Sequence, residues 1–329
     1  MLLKTVAGVS AAVAAAPLLN SGAFGATPVS AAPERAEADG RFRLSLDGVV
    51  AGSLQGAVTC GATGVVVEDS SGADLTTRKH IGNVKYEDIA VETGTGMSAV
   101  FYQWITDMLA RTPGRHNGSV EALGAKGEGR YHVSFTRGLI SEVAFPKLDA
   151  ASKDAAKMTV KIAPETSALA FDRGKADAKI DNKKQKLWSP ANFRLKIDGV
   201  DTTRVSKIDA FVIKQGIIEY RDGASRIATK EPTKLEIPNL KVAVPEEYAH
   251  DFWAWHEDFV VVGNNTADRE RIALLQFLAP NLSDVLFELA MSGVGIFDFC
   301  PDASQAGVWV AEMYVEDVRF KPFPSAIGS

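Results

Sequence analysis

The sequence of 329 residues has only two cysteines, Cys60 and Cys300, too few for a disulfide framework or a four-thiolate zinc site. It has no basic excess either: 36 Lys and Arg face 41 Asp and Glu, a formal charge of −5, which argues against a chain built to wrap nucleic acid. Beyond residue 20 no run approaches the roughly 20 consecutive apolar residues that span a bilayer. The histidines His80, His116, His132, His250 and His256 form no HExxH pair, and His250 and His256, six apart on a predicted helix, fall on different faces. The acids beside them, Asp251, Glu257 and Asp258, are the pattern of a helix's wet side. No serine sits in a G-x-S-x-G elbow, and Gly94 to Ser98 is too short for a phosphate loop and lacks its lysine. No catalytic, metal-ligating or cofactor-binding set is expected. Cys60 and Cys300 pair if the chain is exported, or else remain buried single thiols.

What is there begins with an Ala-rich segment, 1–40. Its Leu2-Leu3-Lys4 entry, apolar run from Val6 to Leu19 and small-residue stretches around Ala26 and Ala32 have the layout of an export signal. The start looks like the later part of a twin-arginine signal without its two arginines. The alternative is a disordered low-complexity arm.

The most informative feature is an internal repeat. Phe42-Arg43-Leu44-Ser45-Leu46-Asp47-Gly48-Val49 recurs as Phe193-Arg194-Leu195-Lys196-Ile197-Asp198-Gly199-Val200, at an offset of 151. The same offset carries Phe101, Trp104 and Asp107 onto Phe252, Trp255 and Asp258. A third match sets Ile140–Phe145 on Leu282–Phe287 at an offset of 142, implying a net deletion of nine in the second copy. The expected organisation is a domain at 41–172, a charged linker at 173–191, a second copy at 192–321 and a tail at 322–329. In the linker, Arg173, Lys175, Lys179, Lys183, Lys184 and Lys186 face only Asp177 and Asp181, so it carries +4 between domains of −1 and −7.

Phe42, Leu44 and Leu46 alternate with Arg43, Ser45 and Asp47 before an Asp-Gly turn, the pattern of a half-buried strand. Further predicted strands are Gly64–Glu68, Lys85–Glu92, Tyr131–Phe135, Glu142–Phe145 and Met158–Ile162 in the first copy. In the second they are Ala210–Lys214, Lys234–Ile237, Ala273–Phe277, Val285–Leu289 and Trp309–Val315. Each copy has one predicted helix. In the first, Ser98 caps a stripe of Phe101, Trp104, Ile105, Met108 and Leu109. In the second, Pro245 opens the first turn and Tyr248, Phe252, Trp255 and Phe259 form the stripe, with Trp253 off it. The fold class expected is mainly β: two tandem antiparallel barrels or sandwiches, each with one packed helix.

The first copy resembles the tail-tube family of contractile phage tails and related injection systems, including the type VI secretion tube. The carrying residues are Phe42-Arg43-Leu44-x-Leu46-Asp47-Gly48, then Arg78-Lys79-x-x-Gly82-x-Val84-Lys85-Tyr86-x-x-Ile89, then Trp104-Ile105. The closing stretch is the most specific: Phe145-Pro146-Lys147-Leu148-Asp149-Ala150-Ala151-Ser152, followed by Met158-Thr159-Val160-Lys161-Ile162. The second copy lacks that Pro-Lys-Leu-Asp-Ala signature. The resemblance implies self-association into six-domain rings that stack into a tube, in company with other tail or injection-system components. It places Val66–Gly82 as an inter-ring loop and the Asp149–Met158 region at a subunit boundary. Leu148, Asp149, Ala150, Ser152, Arg78 and Lys79 are then the expected assembly residues, and Leu148→Asp is expected to hinder assembly more than folding. Three two-domain chains would supply the six domains of a ring. The acidic domains suit a channel that does not hold DNA. The alternative function is an exported, non-phage protein reusing the fold as a surface filament or adhesion module. Its location would be outside the cytoplasm if the signal is real, whereas tail assembly is cytoplasmic.

Overall fold

The computed structural model describes residues 41–59, 61–70, 76–124, 127–171, 188–221, 223, 225 and 227–328. Segment 1–40 and nearly all of the charged linker lie outside them, as does Cys60.

Short stretches of alternating apolar and polar residues dictate strands, and strands dominate. The first half contains β1 (Arg41–Leu46), β2 (Val49–Leu54), β3 (Gly56–Val58), β4 (Ala62–Asp69), β5 (Arg78–Tyr86), β6 (Ile89–Thr93), α1 (Ala99–Leu109), β7 (His116–Leu123), β8 (Gly129–Phe145), β9 (Leu148–Asp149), β10 (Met158–Ala163) and β11 (Thr166–Phe171). The second contains β12 (Phe193–Ile197), β13 (Lys207–Ile208), β14 (Phe211–Tyr220), β15 (Thr229–Glu236), β16 (Leu240–Pro245), α2 (His250–His256), β17 (Arg271–Leu278), β18 (Val285–Pro301) and β19 (Val308–Pro322). A 3-10 turn, Glu246–Tyr248, precedes α2 and a π-helical turn, Glu257–Val261, follows it.

The mainly β, antiparallel class expected from the pattern is what the chain adopts, with one substantial helix in each half. Three local expectations change. Lys85–Glu92 is broken by a turn at Glu87-Asp88, which separates β5 from β6. Tyr131–Phe135 and Glu142–Phe145 are the two ends of one strand, β8, kinked at Arg137, whose φ is 49°. The stretch Val66–Gly82 is no simple loop, because its two ends are strands of the exposed hairpin β4–β5.

The halves repeat one topology. The first sheet runs β2-β1-β7-β8-β10-β6-β3 and the second β12-β17-β18-β19-β16-β13-β9. With β12 set on β1, the partners β17, β18, β19, β16 and β13 fall on β7, β8, β10, β6 and β3 in the same order. Register agrees with order. Leu44, Val120 and Val133 lie in one cross-strand row, and Leu195, Leu275 and Leu289 form its counterpart. The kink recurs at Gly293, whose φ is 63°.

That alignment corrects the third sequence match. β8 corresponds to β18 at an offset of 156, so Ile140–Phe145 equates with Ile296–Pro301 and the offset of 142 is coincidental. Instead of a nine-residue deletion, the second half is five residues longer before β18 and five shorter after it. Period-2 apolar patterns recur on every strand of a β protein, so six such residues carry little positional information.

Two pairings join the halves. β14 extends the first sheet beside β8, with Phe211 opposite Phe145 and Lys214 opposite Glu142. In return β9 of the first half forms the edge of the second sheet, with Leu148 opposite Ile208 and Asp149 opposite Lys207. One hydrophobic core runs through both sheets. Its junction is aromatic: Phe145 stacks on Phe211 and Phe277, and Trp188 meets Phe277 edge-on at 5.1 Å between centroids.

Candidate assembly surfaces

The helix α1 reaches across the junction. Ser98 caps it, its hydroxyl accepting from the Phe101 N–H at 3.4 Å, and the whole predicted stripe is buried. One face of the helix packs on its own half; the other carries Tyr102 onto Phe287 and Phe320 of the second, with ring centroids 5.3 and 6.3 Å away. The Tyr102 hydroxyl donates to the Ala326 carbonyl, and Met97 bridges to Ile327. Burial pushes the Tyr102 phenol pKa well above its usual value, so the hydroxyl stays a neutral donor. At the end of α1, Arg111 binds Asp317 of β19.

A charged cluster lies along the same junction. Glu165, in the turn before β11, accepts from Arg137 at 2.7 Å and from the Lys230 backbone N–H at 3.3 Å. Arg115 donates to the Lys230 carbonyl at 2.8 Å and pairs with Glu231 at 2.7 Å. The buried Lys230 ammonium lies 3.4 Å from Glu219 on its own hairpin and 4.0 Å from Asp88 of the first half. The sequence expectations missed this cluster. One signal was available: Glu68 and Lys79 recur as Glu219 and Lys230 at the repeat offset of 151.

The residues proposed for assembly separate into two places. Leu148 is fully buried between the halves of one chain. Asp149 receives the Ala151 N–H on its carboxylate, Ala150 donates to the Ser206 carbonyl, and the Ser152 hydroxyl accepts from Asp154. This turn therefore fastens first half to second half. Leu148→Asp, expected to hinder assembly more than folding, would place a carboxylate in this dry core and so is expected to cost folding as well. Arg78 and Lys79 stand instead on the outlying strand β5, where Lys79 pairs with Glu68 at 2.7 Å.

The exposed hairpin carries Val65, Val66, Val67 and Ile81 facing solvent. The edge of β4 away from β5, which pairs with no described strand, matches the edge that β14 presents to β8, an arrangement isolated proteins normally blunt. Trp253 stands exposed on α2, off the buried stripe of Phe252 and Trp255.

The cleft formed by Phe211, Ile213, Leu240, Leu289, Met291 and Val315 has only Asn239 as a polar side chain in its wall. His116 is held by Asp47 at 2.6 Å and packs on Trp104, and among the described residues no three His, Cys, Asp or Glu side chains converge as a metal site would require. Cys300 is an exposed free thiol, contrary to its expected burial. No helix among the described residues is long and apolar enough to cross a membrane.

Comparison with known proteins adds one family. Residues 39–167 match the family of the T4-like virus tail tube protein gp19, which bears out the resemblance carried by the first half. No curated protein matches the chain. Solved structures that match include a chain of the anti-feeding prophage baseplate, 6-fold symmetrised, at 13% identity over 41% of this chain and 93% of that one, TM-score 0.35. A chain of the sheath-tube complex of the extracellular contractile injection system PVC matches at 16% identity over 40% of this chain and 88% of its own, TM-score 0.35. The anti-feeding prophage tube-terminating cap matches at 16%, over 40% and 87%, TM-score 0.35.

Proposed function

We propose that this structural, tail-related protein is a tube-ring subunit in which one chain supplies two tandem tail-tube domains, 41–172 and 192–321, joined by the linker 173–191. The observation that carries the reading is the junction between the halves. Two modules of one topology stand side by side, joined through a strand edge and a helix, so the chain already contains one of the lateral contacts a ring needs. Three chains close a six-domain ring by repeating that contact between chains, with rotational symmetry. The function is then geometric: no reactive side chain and no cofactor is required, and the partners are further copies of the chain and other components of a tail or injection apparatus.

In this reading Leu148, Asp149, Ala150 and Ser152 lock the two domains of a chain, while Arg78 and Lys79 on the β4–β5 hairpin face a neighbour. Mass measurement of the native assembly tests it. Three chains per ring is the expected result, and six chains per ring or a persistent monomer overturns it. The export-like segment 1–40 supports the second reading, an exported filament or adhesion module. N-terminal sequencing from the native source separates the two: an intact Met1 favours cytoplasmic assembly, and a start near Thr27 or Ala32 favours export.

A further inference from the structure

The geometry points to the exposed Trp253 of one chain docking on Leu169 of a second copy, as the anchor of the seam between chains. This rests on the ring reading and specifies which residues close it. The internal junction supplies the template. There, the first half contributes α1, the free side of β8 near Phe145 and Glu165; the second contributes the hairpin β14–β15 and the aromatic pair Phe287 and Phe320.

Tyr102, Phe320, Glu165, the edge of β8 and the hairpin β14–β15 each have a counterpart that is exposed or pairs with no described strand. Tyr102 is 0% exposed at the junction, whereas its equivalent at offset 151, Trp253, is 48% exposed on α2. Phe320, beneath Tyr102, is 3% exposed, whereas its equivalent Leu169 on β11 is 50% exposed. Row positions confirm the pairing, since Leu169 lies opposite Val133 as Phe320 lies opposite Leu289. The last residues of β18, Asp298 to Pro301, pair with β19 on one side and with no described strand on the other. That is the edge which, on β8, receives β14. The strand that fits it is β4, the counterpart of β14, whose outer edge pairs with no described strand.

The hydrogen bond at the turn before β11 follows the same rule. Lys230 is buried beside Glu165 at the internal junction. The contact at Glu165 is made by the Lys230 backbone N–H, so the backbone of its exposed equivalent Lys79 on β5 would approach Glu316, the exposed equivalent of Glu165, on the adjoining chain. The two apolar positions, the unpaired end of β18 and the exposed carboxylate of Glu316 are therefore complementary halves of one contact. An exposed tryptophan meeting a leucine is the kind of buried anchor that dominates protein interfaces. Only the β9 pairing has no counterpart, because the loop after β18 is five residues shorter.

The test uses the full chain and three variants. Trp253→Ser and Leu169→Asp alter side chains exposed in the single chain, so at a concentration where wild type and variants are all dissociated their melting temperatures should equal the wild-type value. The concentration for half-dissociation of the assembly, measured by native mass spectrometry, should rise at least about tenfold in each, on the scale of an interface anchor. Trp253→Cys with Leu169→Cys, in a chain whose Cys60 and Cys300 are changed to Ser, should give a bismaleimide-linked ladder ending at three chains. Wild-type assemblies that form while both single variants dissociate as wild type and the double cysteine gives no ladder would overturn this seam and leave the ring reading standing. A wild-type protein that stays monomeric at all concentrations would overturn both.

Discussion

At the scale of single residues, the junction between halves depends on a few side chains whose surroundings fix their roles. Leu148 sits in fully dry packing beside Ile208, so Leu148→Asp removes a core side chain and buries a carboxylate without a partner. We expect a loss of at least about 3 kcal/mol, visible as a large fall in the urea midpoint. Asp317 behaves more gently. Partial burial opposes its ionisation, but hydrogen bonds from Arg111 and Arg319 outweigh burial and hold its carboxyl below the usual carboxylate value. A carboxylate depressed in this way contributes stability above its unfolded-state pKa and loses it as pH falls through the folded one. The contact between α1 and β19 should therefore weaken on acidification below about pH 4, and Arg111→Ala should cost about 0.5 kcal/mol at pH 7 and progressively less as the pH falls below that, measured by denaturant melts. The α1 stripe and its Ser98 cap were plain in the sequence because helical spacing is local. The role of Tyr102 was not, since a residue beside the stripe is exposed or buried according to what another part of the chain brings over it.

At the scale of elements, α1 is a brace between modules and owes its start to one hydroxyl. Ser98→Ala should cost about 1 kcal/mol, and because α1 carries Tyr102 onto Phe287 and Phe320, near-ultraviolet circular dichroism should show the aromatic junction loosening with it. The hairpins show how context acts with pattern. β4 and β14 occupy equivalent places, yet β4 is exposed along its whole length while the start of β14 is buried against β8. β14 opens with Phe211 and Ile213 where β4 has the small Ala62, so β14 has more apolar surface to bury, and the β8 edge beside it supplies the place. Pattern taken alone explains the misleading match of Ile140–Phe145 with Leu282–Phe287. Strand sequences repeat a short period, and cross-strand rows are needed to place them.

At the scale of the whole molecule, the two halves exchange strands and share one core, so they should unfold together. Scanning calorimetry of the full chain should show one transition, and two well-separated transitions would mean the junction is weaker than its packing implies. Much of this architecture was decided by the sequence alone. The alternation of apolar residues specifies strands, the aromatic stripes specify two helices, and the offset of 151 reveals two modules of one kind. These are properties of neighbouring residues, written in local order. Which edges pair was decided only in three dimensions. Leu148 became a fastener within the chain, Lys230 was buried while its twin Lys79 stayed in solvent, and Tyr102 was covered while Trp253 was left open. The physical reason is that one strand edge and one helix face are satisfied by the other half, whereas their equivalents meet no partner among the described residues.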